Sequence, residues 1–161
     1  MNEQEFWAII EGTKVGDLEQ DGQETNLHSL LSELSLTEIV AFDRIFDELR
    51  QRSYSWDLWG AAYILNGGCS DDGFEYFQRA LIAEGREKYE RALADPESLV
   101  EWAEPDFEFE GIYYVASDVY KEKSGGEAMP RHNLEWTGPS GETWDEAELE
   151  TRFPKLTERF G

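Results

Sequence analysis

The 161-residue chain contains one cysteine, Cys69. A lone thiol excludes a disulfide framework within the chain. Basic residues are scarce as well: 14 Lys and Arg stand against 36 Asp and Glu, a formal net charge of -22. Such a surface repels phosphate backbones and anionic lipid, which argues against direct nucleic-acid and membrane binding. No apolar run approaches the roughly 20 residues needed to cross a bilayer. The opening Met1-Asn2-Glu3-Gln4-Glu5 is polar and acidic where a signal peptide would be basic and then apolar, so a cytoplasmic location is expected. A Walker loop, a dinucleotide fingerprint, a nucleophile elbow, paired zinc ligands and an HExxH sequence are all missing. Neither a metal nor a cofactor is therefore expected.

Hydrophobic residues make up 40% of the chain and aromatic residues 14%, enough to build a core despite the charge. Their spacing is helical. Asn2 and Glu5 form a capping box ahead of Phe6, Trp7, Ile9 and Ile10. Residues 12–25, rich in glycine and acid, read as a loop, after which Leu27, Leu30, Leu31 and Leu34 recur at helical intervals. Ser35 and Glu38 make a second capping box for a helix with Ile39, Phe42, Ile45, Phe46 and Leu49 on one face.

The stretch from Trp56 to Leu65, WDLWGAAYIL, is apolar all round apart from Asp57, the pattern of a buried helix. A second apolar helix begins near Phe74 and can end at Gly85. Helical patterns follow from Arg86 to Ala94 and from Asp95-Pro96. Residues 109–123 carry strand-forming Ile112, Tyr113, Tyr114 and Val115. However, the stripe Phe109, Ile112, Tyr113, Ala116 and Tyr120, with Lys121-Glu122-Lys123 before two glycines, favours a helix. The expectation is an all-α, compact single-domain multi-helix bundle over residues 1–161 with a buried central helical hairpin. Residues 124–143 form its long loop and 144–161 a C-terminal helical tail packed on it.

Between the two apolar helices lies Asn66-Gly67-Gly68-Cys69-Ser70-Asp71-Asp72, the most chemical-looking segment of the chain. Each residue except Cys69 has an ordinary structural role. Gly67 suits positive φ after a helix, Ser70 suits an N-cap, and Asp71 and Asp72 complement the helix dipole. Cys69 fits a small hydrophobe. In the alternative role it is a nucleophile ahead of a helix N-terminus, opposed by the neighbouring carboxylates and far in sequence from His28 and His132.

Trp56, Asp57, Trp59, Tyr76 and Arg79 form a candidate pocket beside this loop. Asp57, in the first turn of its helix after Ser55, is expected at the end away from Asp71 and Asp72. The segment from Asp17 to His28 imitates a calcium loop through Asp17, Glu19, Asp21 and Gly22. His28 stands where a bidentate Glu is needed, and Glu24 where an apolar residue is usual, so a solvated acidic loop is expected. His132 and Trp136 lie in the long loop, which reads either as a binding lid or as a flexible connector tied down by Trp144.

At WDLWGAAYILNGGCSDDGFEYF the chain resembles a family found mainly in bacteria and catalogued as domain of unknown function 4240. The likeness extends from Glu5-Phe6-Trp7 through Phe42, Phe46 and Leu49 to Leu81-Ile82, Gly85-Arg86 and Ala94 to Leu99. Trp144 and Pro154-Lys155-Leu156 resemble the family's tail, while Ala80 stands where a Trp is expected. The resemblance implies a bacterial protein and brings no activity, ligand or catalytic residue.

The acid excess points to a non-enzymatic interaction module, immunity-type by analogy, that binds a basic protein partner. Two other readings are a small-molecule-binding or hydrolytic enzyme with its cleft near Cys69-Ser70-Asp71-Asp72, and a nucleic-acid mimic.

Overall fold

Helices account for all the regular structure among the described residues, 1–16 and 19–161 of a computed structural model. In chain order they are α1 (Glu3–Gly12), α2 (Gln20–Ser32), α3 (Leu36–Arg52), α4 (Trp56–Leu65), α5 (Asp71–Ala83), α6 (Arg86–Ala94), α7 (Val115–Lys123), α8 (Glu146–Arg152) and α9 (Pro154–Phe160). Two 3₁₀ segments, Pro96–Glu101 and Gly111–Tyr114, complete the set. The all-α expectation holds, and residues 111–123 are helical.

By contact, the helices group into two compact units, Met1–Leu49 with Glu110–Glu135 and Arg50–Phe109 with Trp136–Gly161. Each is assembled from two separate stretches of sequence, so no single cut in the chain separates one from the other.

In the first unit the capping box at Asn2 forms as read: its side chain accepts from Glu5 N–H at 2.8 Å, and the Glu5 carboxylate accepts from Asn2 N–H at 2.8 Å. α1 buries Phe6, Trp7 and Ile10. Phe6 stacks on Phe42 at 4.6 Å between ring centres and meets Phe46 edge-on at 6.2 Å. The second box places Ser35 Oγ 3.2 Å from Glu38 N–H, and α3 turns Ile39, Phe42, Phe46 and Leu49 into the core.

The loop expected over residues 12–25 is shorter than read, because α2 already begins at Gln20. Its polar residues fasten the turn before it. Gln23 donates to Thr13 Oγ1 at 3.0 Å, and Asn26 donates to the carbonyls of Thr13 and Val15 at 2.9 and 3.0 Å. These bonds hold the Thr13 hydroxyl and two carbonyls of the turn after α1, so residues that look like solvated loop tie α2 to that turn instead. Asp17 and Leu18 lie outside the described residues; Asp21 and Gly22, offered to the calcium-loop reading, sit inside α2.

In the second unit α4 buries Leu58, Gly60, Ala61, Ala62, Ile64 and Leu65, as its all-round apolar sequence requires. α5 buries Phe74 and Phe77 through Ala83, and Trp59 of α4 stacks on Phe74 of α5 at 5.2 Å with the rings 2° from parallel. The central hairpin is thus present. The tail packs on α4 where side chains are smallest: a Cβ at Gly60 would lie 2.9 Å from Leu149 and Phe153 and 3.0 Å from Trp144. Trp144 also donates its indole N–H to the Trp56 carbonyl at 2.6 Å. The loop before it is tied down as well, with Trp56 N–H on the Ser140 carbonyl at 2.9 Å and Ser140 N–H on the Tyr54 carbonyl at 3.0 Å.

Gly60→Val places two methyl groups in that contact, and overpacking of this kind costs about 1–3 kcal/mol. The urea midpoint should fall accordingly, and Trp144 emission should shift to the red as the tail loosens. An unchanged midpoint would mean that the tail does not depend on Gly60.

Candidate functional site

The Asn66–Asp72 loop is built as helix punctuation. Gly67 and Gly68 have φ of 67° and 122°. Gly68 N–H reaches back to the Tyr63 carbonyl at 2.8 Å and Gly67 N–H to that of Ile64 at 3.4 Å, the paired bonds of a Schellman C-cap. Ser70 Oγ accepts from Gly73 N–H at 3.1 Å and caps α5, with Asp71 and Asp72 exposed in its first turn. Asn66 binds Phe107 in both directions: its Oδ1 accepts from Phe107 N–H at 3.0 Å, and its Nδ2 donates to the Phe107 carbonyl at 3.4 Å.

Cys69 is not poised for attack. Burial, then the charges of Glu108 and Asp71, push its thiol up to about 12. A nucleophilic cysteine needs the opposite environment.

The candidate pocket residues are brought only partly together. Trp56 and Trp59 stack at 5.4 Å, and the Trp59 indole donates to the Cys69 carbonyl at 2.9 Å. Tyr76 lies under the Arg79 guanidinium, 5.3 Å from its ring centre. Arg79 is buried and faces Glu75 at 3.8 Å, and Arg50 reaches the same carboxylate at 3.2 Å. Asp57 is paired with Arg152 of α8. Ala80, where the family pattern suggests Trp, is buried.

Two constellations in the first unit escape the sequence reading. The first is a cleft of about 280 Å³ between α2 and α7, lined by Glu24, Thr25, His28, Ser29, Val115 and Asp118. His28 bonds Glu122 at 2.8 Å, and Lys123 donates to the Ser32 carbonyl at 2.7 Å, which holds the two helices side by side. Glu24 rests against Gly111, where any Cβ would collide with its carboxylate. Burial, followed by repulsion from Asp21 and Asp118, raises the Glu24 carboxyl above its ordinary range. The cleft therefore gathers like charges that water only partly relieves.

The second is Asp43, Asp47 and His132, each with a ligand atom within 4.8 Å of the others. Asp43 and Asp47 are one turn apart on α3 and only 8% and 4% exposed. His132 Nε2 lies 2.6 Å from an Asp47 oxygen and 3.7 Å from Asp43. Tyr113 donates its hydroxyl to Asp47 at 3.1 Å. The other ring nitrogen, Nδ1, is buried without a hydrogen-bond partner. The i, i+4 carboxylates were visible in the sequence, but they flank an apolar stripe and their histidine is 85 residues from Asp47.

The family model described as "Protein of unknown function (DUF4240)" matches residues 1–122. No curated protein and no solved structure matches the chain. The matched span holds the loop, the hairpin, the cleft and both carboxylates, and stops short of His132 and the tail.

With the thiol raised to about 12, alkylation of Cys69 by iodoacetamide near neutral pH should run about two to three orders of magnitude slower than that of an ordinary cysteine. Labelling followed by mass spectrometry measures this. A rate equal to that of a free thiol would restore the nucleophile reading.

Proposed function

The chain belongs to the family described as "Protein of unknown function (DUF4240)", and we propose that it is a non-enzymatic interaction module whose acidic α2–α7 cleft receives a basic side chain of a protein partner. The observation that carries this reading is the cleft itself, where Glu24 and Asp118 face a common space and burial, then the charges of Asp21 and Asp118, raise the Glu24 carboxyl. A cation brought between them removes that repulsion, whereas a neutral ligand does not. At about 280 Å³ the space suits a side chain rather than a large cofactor.

The charge distribution supports the same reading. At least nine of the fourteen Lys and Arg side chains face carboxylates of this chain, among them Arg44 with Glu48, Arg86 with Glu90, Arg91 with Glu101 and Arg159 with Glu104. The intramolecular cations are thus largely engaged. The remaining negative charge steers a basic partner and repels acidic ones.

Charge reversal tests the proposal. A paired Glu24→Lys and Asp118→Lys variant and the unmodified protein would each be used to capture partners from source-cell extract. Basic proteins held by the unmodified chain and lost by the variant, with association slowing steeply as salt rises, are the expected result. An identical set held by both would sink the cleft as the docking point.

The raised carboxyl gives a second test. Resistance of the fold to ionising Glu24 means that this group favours the folded state below the ordinary value of 4.5, and that the benefit is lost as pH rises through the raised value. Glu24→Gln should therefore raise the melting temperature near about pH 7 and leave it unchanged near about pH 3. Thermal melts across this range read the difference, and destabilisation at neutral pH would show that the carboxylate is compensated rather than strained.

A further inference from the structure

We propose that Asp43, Asp47 and His132 form a binding site for a divalent first-row transition-metal ion of the Zn²⁺ type, independent of the acidic cleft. His132 Nε2 and one oxygen from each aspartate would be the ligands, their donor atoms already within 4.8 Å of one another. One imidazole and two carboxylates are a borderline nitrogen–oxygen set that suits Zn²⁺ and Mn²⁺. Mg²⁺ and Ca²⁺ call for more oxygen donors.

His132 Nε2 already lies 2.6 Å from an Asp47 oxygen and 3.7 Å from an Asp43 oxygen, so an ion placed among the three groups would exchange its contacts for those they now make with one another.

The supports are fixed in advance. Asp43 and Asp47 stand on consecutive turns of a 17-residue helix, anchored on its other side by Phe42 and Phe46. Tyr113 holds Asp47 by its hydroxyl while its ring packs on Phe46 at 5.5 Å, the kind of outer contact that orients a ligating carboxylate. His132 is delivered by the chain that follows α7. Three protein ligands leave a fourth position for water, as in metal sites open to exchange or chemistry.

The test is calorimetric titration of the full chain, stripped with chelator, with Zn²⁺ and separately with Mg²⁺. One tight equivalent of Zn²⁺ is expected, while Mg²⁺ gives only weak binding at several sites. His132→Gln and Asp47→Asn should each weaken the zinc affinity at least tenfold, and Tyr113→Phe roughly ten- to a hundredfold. Glu158→Gln, at an exposed carboxylate outside both sites, should leave it unchanged.

Should His132→Gln fail to fold, nitrogen NMR of the unmodified protein decides. The His132 Nε2 resonance must move at one equivalent of Zn²⁺. Equal, weak, multi-site binding of both metals, an unmoved Nε2 resonance, or full affinity in a folded His132→Gln protein would each overturn the proposal.

Discussion

Repulsion between carboxylates is the constraint under which everything else in this chain is arranged. With 36 acidic and 14 basic residues, each cation is scarce, and its placement matters. On the helix surfaces Arg and Lys stand one turn from Glu, as in Arg44–Glu48 and Lys88–Glu84. Exposed pairs of this kind contribute little individually, but they blunt repulsion along their own helix. Two arginines go inside instead: Arg50 and Arg79 are buried and converge on Glu75, each with an aromatic ring against its guanidinium, Trp136 for Arg50 and Tyr76 for Arg79. Around Glu24, burial and the charges of Asp21 and Asp118 act together to raise its carboxyl.

The same economy shapes the segment with the most reactive appearance. Asn66 to Asp72 must stop one buried helix and start another within a few residues. Two glycines at positive φ, a capping serine and two acids in the first turn do that work. Burial first, and then the negative charge of Glu108 and Asp71, disfavours a thiolate at Cys69. The charge-poor Trp56–Leu65 helix is where aromatic stacking takes over: Trp56, Trp59, Phe74 and Phe77 form a run of near-parallel rings at its contact with α5.

Much of this was legible in the residues. Capping boxes at Asn2 and Ser35, the N-caps at Ser55 and Ser70, the proline after Asp95 and the apolar periods mark the helices because each depends on neighbours three or four positions away. The start of α2 was not legible, since Gln23 and Asn26 act on the turn beyond α1 and look like loop residues until that turn is in place. The two first-unit sites were hidden for a related reason. Glu24 meets Asp118, and Asp47 meets His132, across some ninety residues. No local pattern encodes such a meeting. Arg152, the partner of Asp57, lies 95 residues on and was hidden in the same way.

The way Gly60 receives the tail has a bearing on how the chain is made. Leu149, Phe153 and Trp144 reach α4 only after more than eighty further residues have followed it out of the ribosome. Until then the Gly60 side of α4, with Trp56 and Tyr63 beside it, waits uncovered. The first unit likewise waits for residues 110–135 before α2 can meet α7. Vectorial synthesis thus presents both units half-built, and loop closure over such separations is slow. During that interval the growing chain's own negative charge is what keeps neighbouring nascent chains apart.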